Sequence, residues 1–345
     1  MASSLNSRER VLRLFRKENI DRVPVFSGMG NVTVHGLEKN GWRFAETHVD
    51  ARKMATLAAS TFQLFGFECA VVPFDMGIEA EALGCAVNYY PGRDGILYPT
   101  ISSKLAEKVA DLEFEVPSNL ARAGRIPLVC EAIRILKEEV GDQVAIGSWA
   151  LGPHLILGQI CEVGEVAKAM FKQPAVVDKL LDKTAQMVIE LSKIYRDAGA
   201  DYFTVREMGA GTDILSPAMF KKLVQPHLAQ VFAAIESPNV LHICGDTNAI
   251  VDQMATCGAD AVSVEEKNRV AETRQKLGPD VLIFGNIAGY NTLAEGKPED
   301  VDRAVKEAIG NGVDAIWPGC DIWPTAPKEN MLALMRAAEK YGQRA

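Results

Sequence analysis

The chain has 345 residues, 48% of them hydrophobic, which is enough apolar surface to bury a large core. Its formal net charge of -8 argues against nucleic acid or an anionic membrane as a partner. The 7 cysteines are odd in number without short regular spacing, and the first residues are charged where a signal peptide is apolar. No run of about 18 apolar residues is present to span a bilayer, so we expect a cytoplasmic protein.

Helices alternate with strands in the first 150 residues, as judged from helical spacing of apolar residues and from apolar runs before polar turns. Residues 83–122 break this pattern with tyrosines and with Pro-Gly and Asp-Gly turns. We expect an inserted segment there that carries a β-hairpin over 86–98 above one mouth of the fold. The predicted elements are an N-terminal helical segment within 1–20, helices over 51–65 and 126–140, and strands over 23–26, 69–74 and 144–150.

The second half of the chain repeats one signature at three helix ends. Gly199, Gly258 and Gly312 stand where a helix needs a left-handed cap, and each is followed two residues later by aspartate and then by an apolar run. Eight strands with helices between most of them predict a single (β/α)8 TIM barrel domain over residues 1–345. A doubly wound open sheet is the competitor, but no Gly-x-Gly-x-x-Gly turn follows a strand. The predicted elements are helices over 162–171 and 174–198 and strands over 202–205, 239–244, 261–264, 281–286 and 315–317.

Three soft side chains stand at predicted strand ends. His242 and Cys244 are two residues apart on the fifth strand, so their side chains leave the same face of an extended chain. Cys320 ends the eighth strand, and in a closed barrel the carboxyl ends of all strands meet on one face. Imidazole and thiolates are suitable ligands for zinc, although an ordinary buried histidine and cysteine would give the same pattern. Glu265, at the end of the sixth strand, is the candidate for a weak fourth ligand.

Further polar side chains at this face are candidates for binding a charged substrate. They are Asp75, Arg206 and Asn286 at strand ends and His154 in a loop at the mouth. An ion pair at the mouth is the alternative for Asp75 and Arg206. The other cysteines are expected to be small buried hydrophobic residues, and the other histidines to be surface or capping residues. These are Cys69, Cys85, Cys130, Cys161 and Cys257, and His35, His48 and His227.

Three segments resemble the methylcobamide:coenzyme M methyltransferases of the uroporphyrinogen decarboxylase superfamily, namely residues 241–245 (LHICG), 258–267 (GADAVSVEEK) and 318–320 (PGC). The likeness covers nearly the whole chain. The resemblance implies a barrel that holds zinc through His242, Cys244 and Cys320, with Glu265 weakly bound. The Arg-rich N-terminal segment with which the true decarboxylases bind tetrapyrroles is replaced here by SGMGN at 27–31. Other matching segments are RVPV at 22–25, EALGC at 81–85, GRIPLV at 124–129 and APKEN at 326–330.

The predicted reaction transfers a methyl group from a methylated corrinoid, such as methylcobalamin, to a zinc-activated thiol, with His242, Cys244 and Cys320 acting through zinc. The chain lacks a cobalamin-binding Asp-x-His-x-x-Gly motif, so the corrinoid is expected on a partner protein. Candidate contacts for that partner are Tyr89, Tyr90 and Trp323.

Coenzyme M is the expected methyl acceptor, and Arg206 or Asn286 could face its sulfonate. Tetrahydrofolate and homocysteine remain alternative acceptors. A uroporphyrinogen decarboxylase-like enzyme and a non-catalytic corrinoid- or zinc-binding module are the alternative functions.

Overall fold

Seven parallel strands form one curled sheet in the order β1-β4-β5-β6-β7-β8-β9, and β2 pairs with β3 in a separate antiparallel hairpin. The computed structural model describes residues 5–344. Within these residues, no helix is both long and apolar enough to cross a membrane. The strands are β1 (Cys69–Val72), β2 (Ala86–Asn88), β3 (Thr100–Ser103), β4 (Ala145–Leu151), β5 (Tyr202–Arg206), β6 (Asn239–His242), β7 (Ala261–Ser263), β8 (Leu282–Ile287) and β9 (Ala315–Pro318).

Residues 24–26 close the sheet into a barrel. The backbone N–H of Ile316 in β9 donates to the carbonyl of Pro24 at 2.9 Å, and the N–H of Phe26 donates to the carbonyl of Ile316 at 3.2 Å. On the other side, the N–H of Glu68, just before β1, donates to the carbonyl of Val25 at 2.9 Å. The first predicted strand therefore lies between β9 and β1, and the predicted (β/α)8 TIM barrel is confirmed.

Helices surround the barrel and begin and end where the sequence provides caps. Asp50 accepts the backbone N–H of Lys53 at the start of the third helix, and Gly66 ends that helix at φ +82°. The helices are α1 (Ser7–Phe15), α2 (Val34–Asn40), α3 (Ala51–Phe65), α4 (Ile78–Ala82), α5 (Ile126–Glu139), α6 (Pro153–Ile160), α7 (Val163–Lys172), α8 (Pro174–Asp197), α9 (Pro217–Met219), α10 (Gln225–Ala234), α11 (Val251–Ala255), α12 (Val270–Leu277), α13 (Pro298–Gly310) and α14 (Lys328–Tyr341). Short 3₁₀ turns lie at Phe44–His48, Val109–Asp111, Leu120–Arg122 and Met208–Ala210, and π turns at Phe220–Val224 and Gly289–Ala294.

The hairpin of the 83–122 segment differs from the prediction in its second strand. That strand starts at Thr100 rather than before Tyr98. Tyr98 instead packs its ring against Phe44 with the centroids 4.9 Å apart, and Pro99 has no N–H to donate to a ladder. Tyr98 and Pro99 consequently line a cavity at the carboxyl ends of the strands.

The three glycine-to-aspartate signatures lie at the end of the barrel opposite that cavity, where they connect neighbouring strands. Each glycine has a left-handed backbone conformation, with φ between +95° and +116°. Each aspartate precedes a strand, and its carboxylate accepts a backbone N–H from the preceding strand of the sheet. The bonds run to Asp201 from Ile146 at 2.9 Å, to Asp260 from Asn239 at 2.8 Å and to Asp314 from Ile283 at 2.9 Å. These carboxylates therefore hold neighbouring strands in register.

Replacing Asp260 by alanine is expected to lower the free energy of unfolding by about 1–3 kcal/mol, because the Asn239 N–H loses its acceptor. The exposed Asp280 is the matched control, and its replacement by alanine should change that free energy by less than about 0.5 kcal/mol. Urea unfolding measures both variants. Equal stability of the two would show that the aspartate does not hold the strands.

Candidate metal centre

The side chains of His242, Cys244 and Cys320 meet at the carboxyl end of the barrel. Nε2 of His242 lies 2.9 Å from Sγ of Cys244, and Sγ of Cys244 lies 3.3 Å from Sγ of Cys320. The three potential ligand atoms all lie within 4.8 Å of one another. His242 is fully buried and the two cysteines are partly exposed. The fold thus brings together Cys244 and Cys320, which are 76 residues apart in the sequence.

Two glycines allow this close approach. Gly245 turns the chain directly after Cys244 with φ +83°, which is a conformation that favours glycine. Gly319 lies against the backbone of Glu265, since a Cβ at this position would be 2.9 Å from Cα of Glu265. A larger residue at 319 would therefore push Cys320 away from the ends of the neighbouring strands.

Glu265 lies beside the three side chains, but it is not part of the cluster that the described residues form. The pKa of its carboxyl is raised by partial burial, lowered by a backbone hydrogen bond from Gly245, and raised further by the charges of Glu266 and Cys320. Its role as a fourth ligand stays a prediction.

The two sulfurs share a proton unequally. The hydrogen bond from the Cys244 thiol, aided by His242 and by the charge of Arg206, holds the pKa of Cys320 well below its ordinary value. The pKa of Cys244 is raised, because its thiol donates to Cys320 and is largely buried. A bound cation would displace the proton that lies between the two sulfurs.

The donor set fits zinc. Two sulfurs and one imidazole nitrogen are the soft and intermediate donors that zinc binds in proteins. Two thiolates at 3.3 Å would repel each other unless a proton or a cation lay between them. Three protein ligands leave a fourth tetrahedral position for a substrate, which is the arrangement of catalytic rather than structural zinc.

Arg206 brings a buried positive charge to this cluster. Its guanidinium lies 4.4 Å from the ring centroid of Trp149 and 4.0 Å from Sγ of Cys320. It pairs with Asp321 at 2.8 Å, and Arg206 is 1% exposed whereas the Asp321 side chain is 36% exposed. Arg206 therefore forms an ion pair at the mouth, the alternative that the sequence left open.

Asp75 also forms an ion pair, but with Arg125, the residue directly before α5. Both of its carboxylate oxygens accept from Arg125, at 2.8 and 2.9 Å, and Nδ1 of His48 lies 2.9 Å away. Burial opposes ionisation of Asp75, but the hydrogen bonds from Arg125 and His48 outweigh it and hold the pKa below its ordinary value. The interpretation of His48 as a surface or capping residue is wrong, because this carboxylate gives its ring a buried partner.

The remaining histidines and cysteines follow the expectations in part. His227 is also buried, where it contacts Asp178 at 3.0 Å, whereas the ring of His35 contacts the carbonyl of Ala326 at 3.2 Å. The five cysteines expected to be buried hydrophobic residues are buried.

His154 and Asn286 lie at the mouth, but in contacts with the protein itself. His154 belongs to α6 rather than to a loop, because Pro153 starts that helix and the Glu207 carboxylate accepts the backbone N–H groups of His154 and Leu155. The side-chain amide of Asn286 donates to the carbonyl of Asn268 at 3.3 Å. Roles for either residue in substrate binding stay predictions.

A cavity of about 410 Å³ adjoins the cluster. Arg206 and Asp321 belong to its wall and also neighbour Cys320, so the cavity lies beside the three ligands. Tyr98 was missed from the sequence because its contact with the mouth depends on how the hairpin folds back. The cavity is lined by Phe74, Asp75, Met76, Gly77, Tyr98, Pro99, Thr100, Ile101, Lys104, Gln159, Arg206 and Asp321.

Comparisons with known proteins agree with the resemblance seen in the sequence and confirm it. The family model described as uroporphyrinogen decarboxylase (URO-D) matches residues 6–341. Methylcobamide:CoM methyltransferase MtaA of Methanosarcina barkeri is 33% identical over 340 residues, which cover 98% of this chain and 99% of the relative. Methylcobamide:CoM methyltransferase MtbA of Methanosarcina acetivorans is 29% identical over 97% of this chain and 98% of its own. A solved methyltransferase from Methanosarcina mazei is similar with TM-score 0.92 and 30% identity, over 98% of this chain and 99% of that one.

Proposed function

We propose, from the premise that the chain belongs to the uroporphyrinogen decarboxylase family, that it transfers a methyl group from a methylated corrinoid to a thiol, most simply coenzyme M. The observation that carries the proposal is the cluster of His242, Cys244 and Cys320 beside an accessible cavity. The names of the relatives, which are methylcobamide:CoM methyltransferases, support both the reaction and this acceptor.

The three side chains would hold zinc, which when bound lowers the pKa of a coordinated thiol and keeps it as the thiolate. A free thiol with a pKa of about 8.5 is only about 3% ionised at pH 7, so complete ionisation contributes at most about 30-fold, or about 2 kcal/mol. Part of this gain is lost, because a less basic thiolate is a poorer nucleophile. Ionisation is therefore not the whole source of the rate.

The barrel mouth supplies the remainder by alignment and by charge. Holding the sulfur in line with the methyl carbon is potentially worth more than ionisation, and strand ends are rigid supports for it. Arg206, 4.0 Å from Cys320, offsets the negative charge that accumulates when a substrate thiolate joins two protein thiolates. Because its counterion Asp321 is fixed beside it, Arg206 keeps this orientation without substrate.

We propose that the corrinoid is carried by a partner protein that contacts Trp323. Trp323 is 49% exposed and Tyr290 is 50% exposed, and their ring centroids are 5.1 Å apart on loops that follow β9 and β8. The other two candidate tyrosines are engaged within the protein, since Tyr89 donates to Glu81 at 2.6 Å and the Tyr90 hydroxyl bonds to Thr100. Of the three candidates, Trp323 is thus the one that belongs to an exposed aromatic pair.

Replacing Trp323 by alanine is expected to raise the KM for the carrier protein about 10-fold, as loss of an interface aromatic residue does. The effect should be clearly smaller when free methylcobalamin is the donor. Phe171, an aromatic residue of α7 that is 72% exposed, is the matched control, and its replacement by alanine should leave both values unchanged. Equal effects of the two substitutions on the carrier reaction would contradict this docking site.

Anaerobic mixing of the purified protein with methylcob(III)alamin and candidate acceptors tests the function. Loss of the methyl–cobalt absorbance with coenzyme M supports the proposal, and loss only with homocysteine or tetrahydrofolate would move the acceptor to that compound. No loss with any acceptor, from either the free or the protein-bound donor, would favour a binding module. Decarboxylation of uroporphyrinogen without metal would overturn the proposal in favour of a decarboxylase.

A further inference from the structure

His242 contacts a different partner with each of its ring nitrogens. Nε2 faces Sγ of Cys244 at 2.9 Å, and Nδ1 lies 2.9 Å from Oγ of Ser263. Both His242 and Ser263 are fully buried. The serine is therefore the hydrogen-bond partner of Nδ1, the ring nitrogen that points away from the two sulfurs.

The sheet determines this contact. His242 at the end of β6 is directly opposite Ser263 at the end of β7, and on its other side it is opposite Arg206 of β5. Arg206 carries only donors and is turned toward Asp321, so it offers no acceptor to an imidazole N–H. Of the two strands that flank β6, β7 supplies the side chain that can accept a hydrogen bond from this N–H.

A hydroxyl at this place has a specific consequence for metal binding. When one imidazole nitrogen binds a metal through its lone pair, the other carries the proton and needs an acceptor. A serine oxygen accepts a hydrogen bond from that N–H without adding charge. A carboxylate, which often has this role, would add a negative charge beside two thiolates and an incoming substrate thiolate.

We infer that Ser263 is a positioning residue for the metal: it holds His242 in the Nδ1–H tautomer and keeps the Nε2 lone pair directed at the space between the sulfurs. The inference rests on the proposed function, because it assigns Ser263 a role toward the zinc proposed there. Without the hydroxyl, a proton can occupy Nε2 or the ring can turn, and either change competes with the metal.

Zinc affinity of the full chain, measured by competition with a chromophoric chelator, tests the inference without an activity assay. Ser263→Ala should weaken zinc binding about 10- to 100-fold. Ser263→Thr keeps the hydroxyl and should bind within about threefold of the parent. Ser148→Ala is the matched control, because Ser148 is a buried serine of β4 whose hydroxyl has no partner among residues 5–344, and it should bind as the parent does. Thermal unfolding of the metal-free variants checks that each is folded.

The outcomes separate this inference from the proposed function. If the parent binds zinc and Ser263→Ala binds it equally well, the positioning role is overturned while the proposed function stands. If Ser263→Thr is as weak as Ser263→Ala, the hydroxyl is not the cause and the inference is again overturned. If the parent itself binds no zinc, the proposed function fails and the inference fails with it.

Discussion

Replacing Cys320 by alanine is expected to reduce zinc affinity by more than about 100-fold and to abolish methyl transfer to a thiol. The substitution removes one of three protein ligands, and losing even a supporting hydrogen-bond partner of a ligand costs about 10- to 100-fold. It also removes the sulfur that lies 3.3 Å from Sγ of Cys244. Metal content after dialysis and the methyl–cobalt absorbance assay measure the two effects.

Cys257→Ala is the matched control, because Cys257 is a buried cysteine at the end of α11 without a role in the cluster. We expect it to retain zinc and activity. A Cys320 variant that keeps both zinc and activity would contradict the assignment of the third ligand.

Cys320→His separates charge from metal binding. Histidine can still bind zinc but is neutral, so we expect zinc to stay bound and transfer to slow. If this variant transferred the methyl group as fast as the parent, the second thiolate would not be needed to keep electron density on the substrate sulfur.

Disruption of the Arg206–Asp321 ion pair is expected to be costly in an asymmetric way. Asp321→Ala leaves a guanidinium that is 1% exposed without its counterion, which should lower the free energy of unfolding by about 3–5 kcal/mol. Arg206→Met should cost less, because the Asp321 side chain is 36% exposed and water can solvate it. The same Arg206→Met substitution should slow methyl transfer about 10- to 100-fold at subsaturating thiol, since a positive charge 4.0 Å from Cys320 that favours binding of the acceptor as a thiolate is lost.

The double variant Arg206→Met with Asp321→Leu tests whether stability or charge is responsible for the slower transfer. Removing both charges avoids an unpaired buried ion, so stability should return toward that of the parent. Transfer should remain slow, because the positive charge beside Cys320 is still absent. Full recovery of the transfer rate in the double variant would show that Arg206 acts through stability alone.

The sequence predicted the parts of this protein that depend on strand ends. His242, Cys244 and Cys320 were identified together because parallel strands carry their carboxyl ends to one face, and this property needs only the order of strands and helices. The barrel itself followed from eight apolar runs, of which the first, 23–26, contains the residues that close the sheet. The three aspartates after left-handed glycines were visible as a repeat, but their bonds to the preceding strands were not.

Contacts that depend on side-chain packing between distant elements were not predictable. His48 was misinterpreted because its partner Asp75 is 27 residues away and is itself fixed by Arg125, the residue directly before α5. His154 was placed in a loop because the start of α6 is capped by the buried carboxylate of Glu207, which is 53 residues away and leaves no capping signal in the sequence near His154. Ser263 could have been found from the parallel register of β6 and β7, since it ends the strand that follows His242.

The most direct test of the central claim is the metal content and metal environment of the purified protein, determined by elemental analysis with X-ray absorption at the zinc edge. We predict one zinc per chain with two sulfur donors and at least one nitrogen donor, and loss of one sulfur donor or of the metal in Cys320→Ala. An active protein without zinc, or zinc whose sulfur donors are unchanged when Cys320 is removed, would contradict the claim that His242, Cys244 and Cys320 hold one ion.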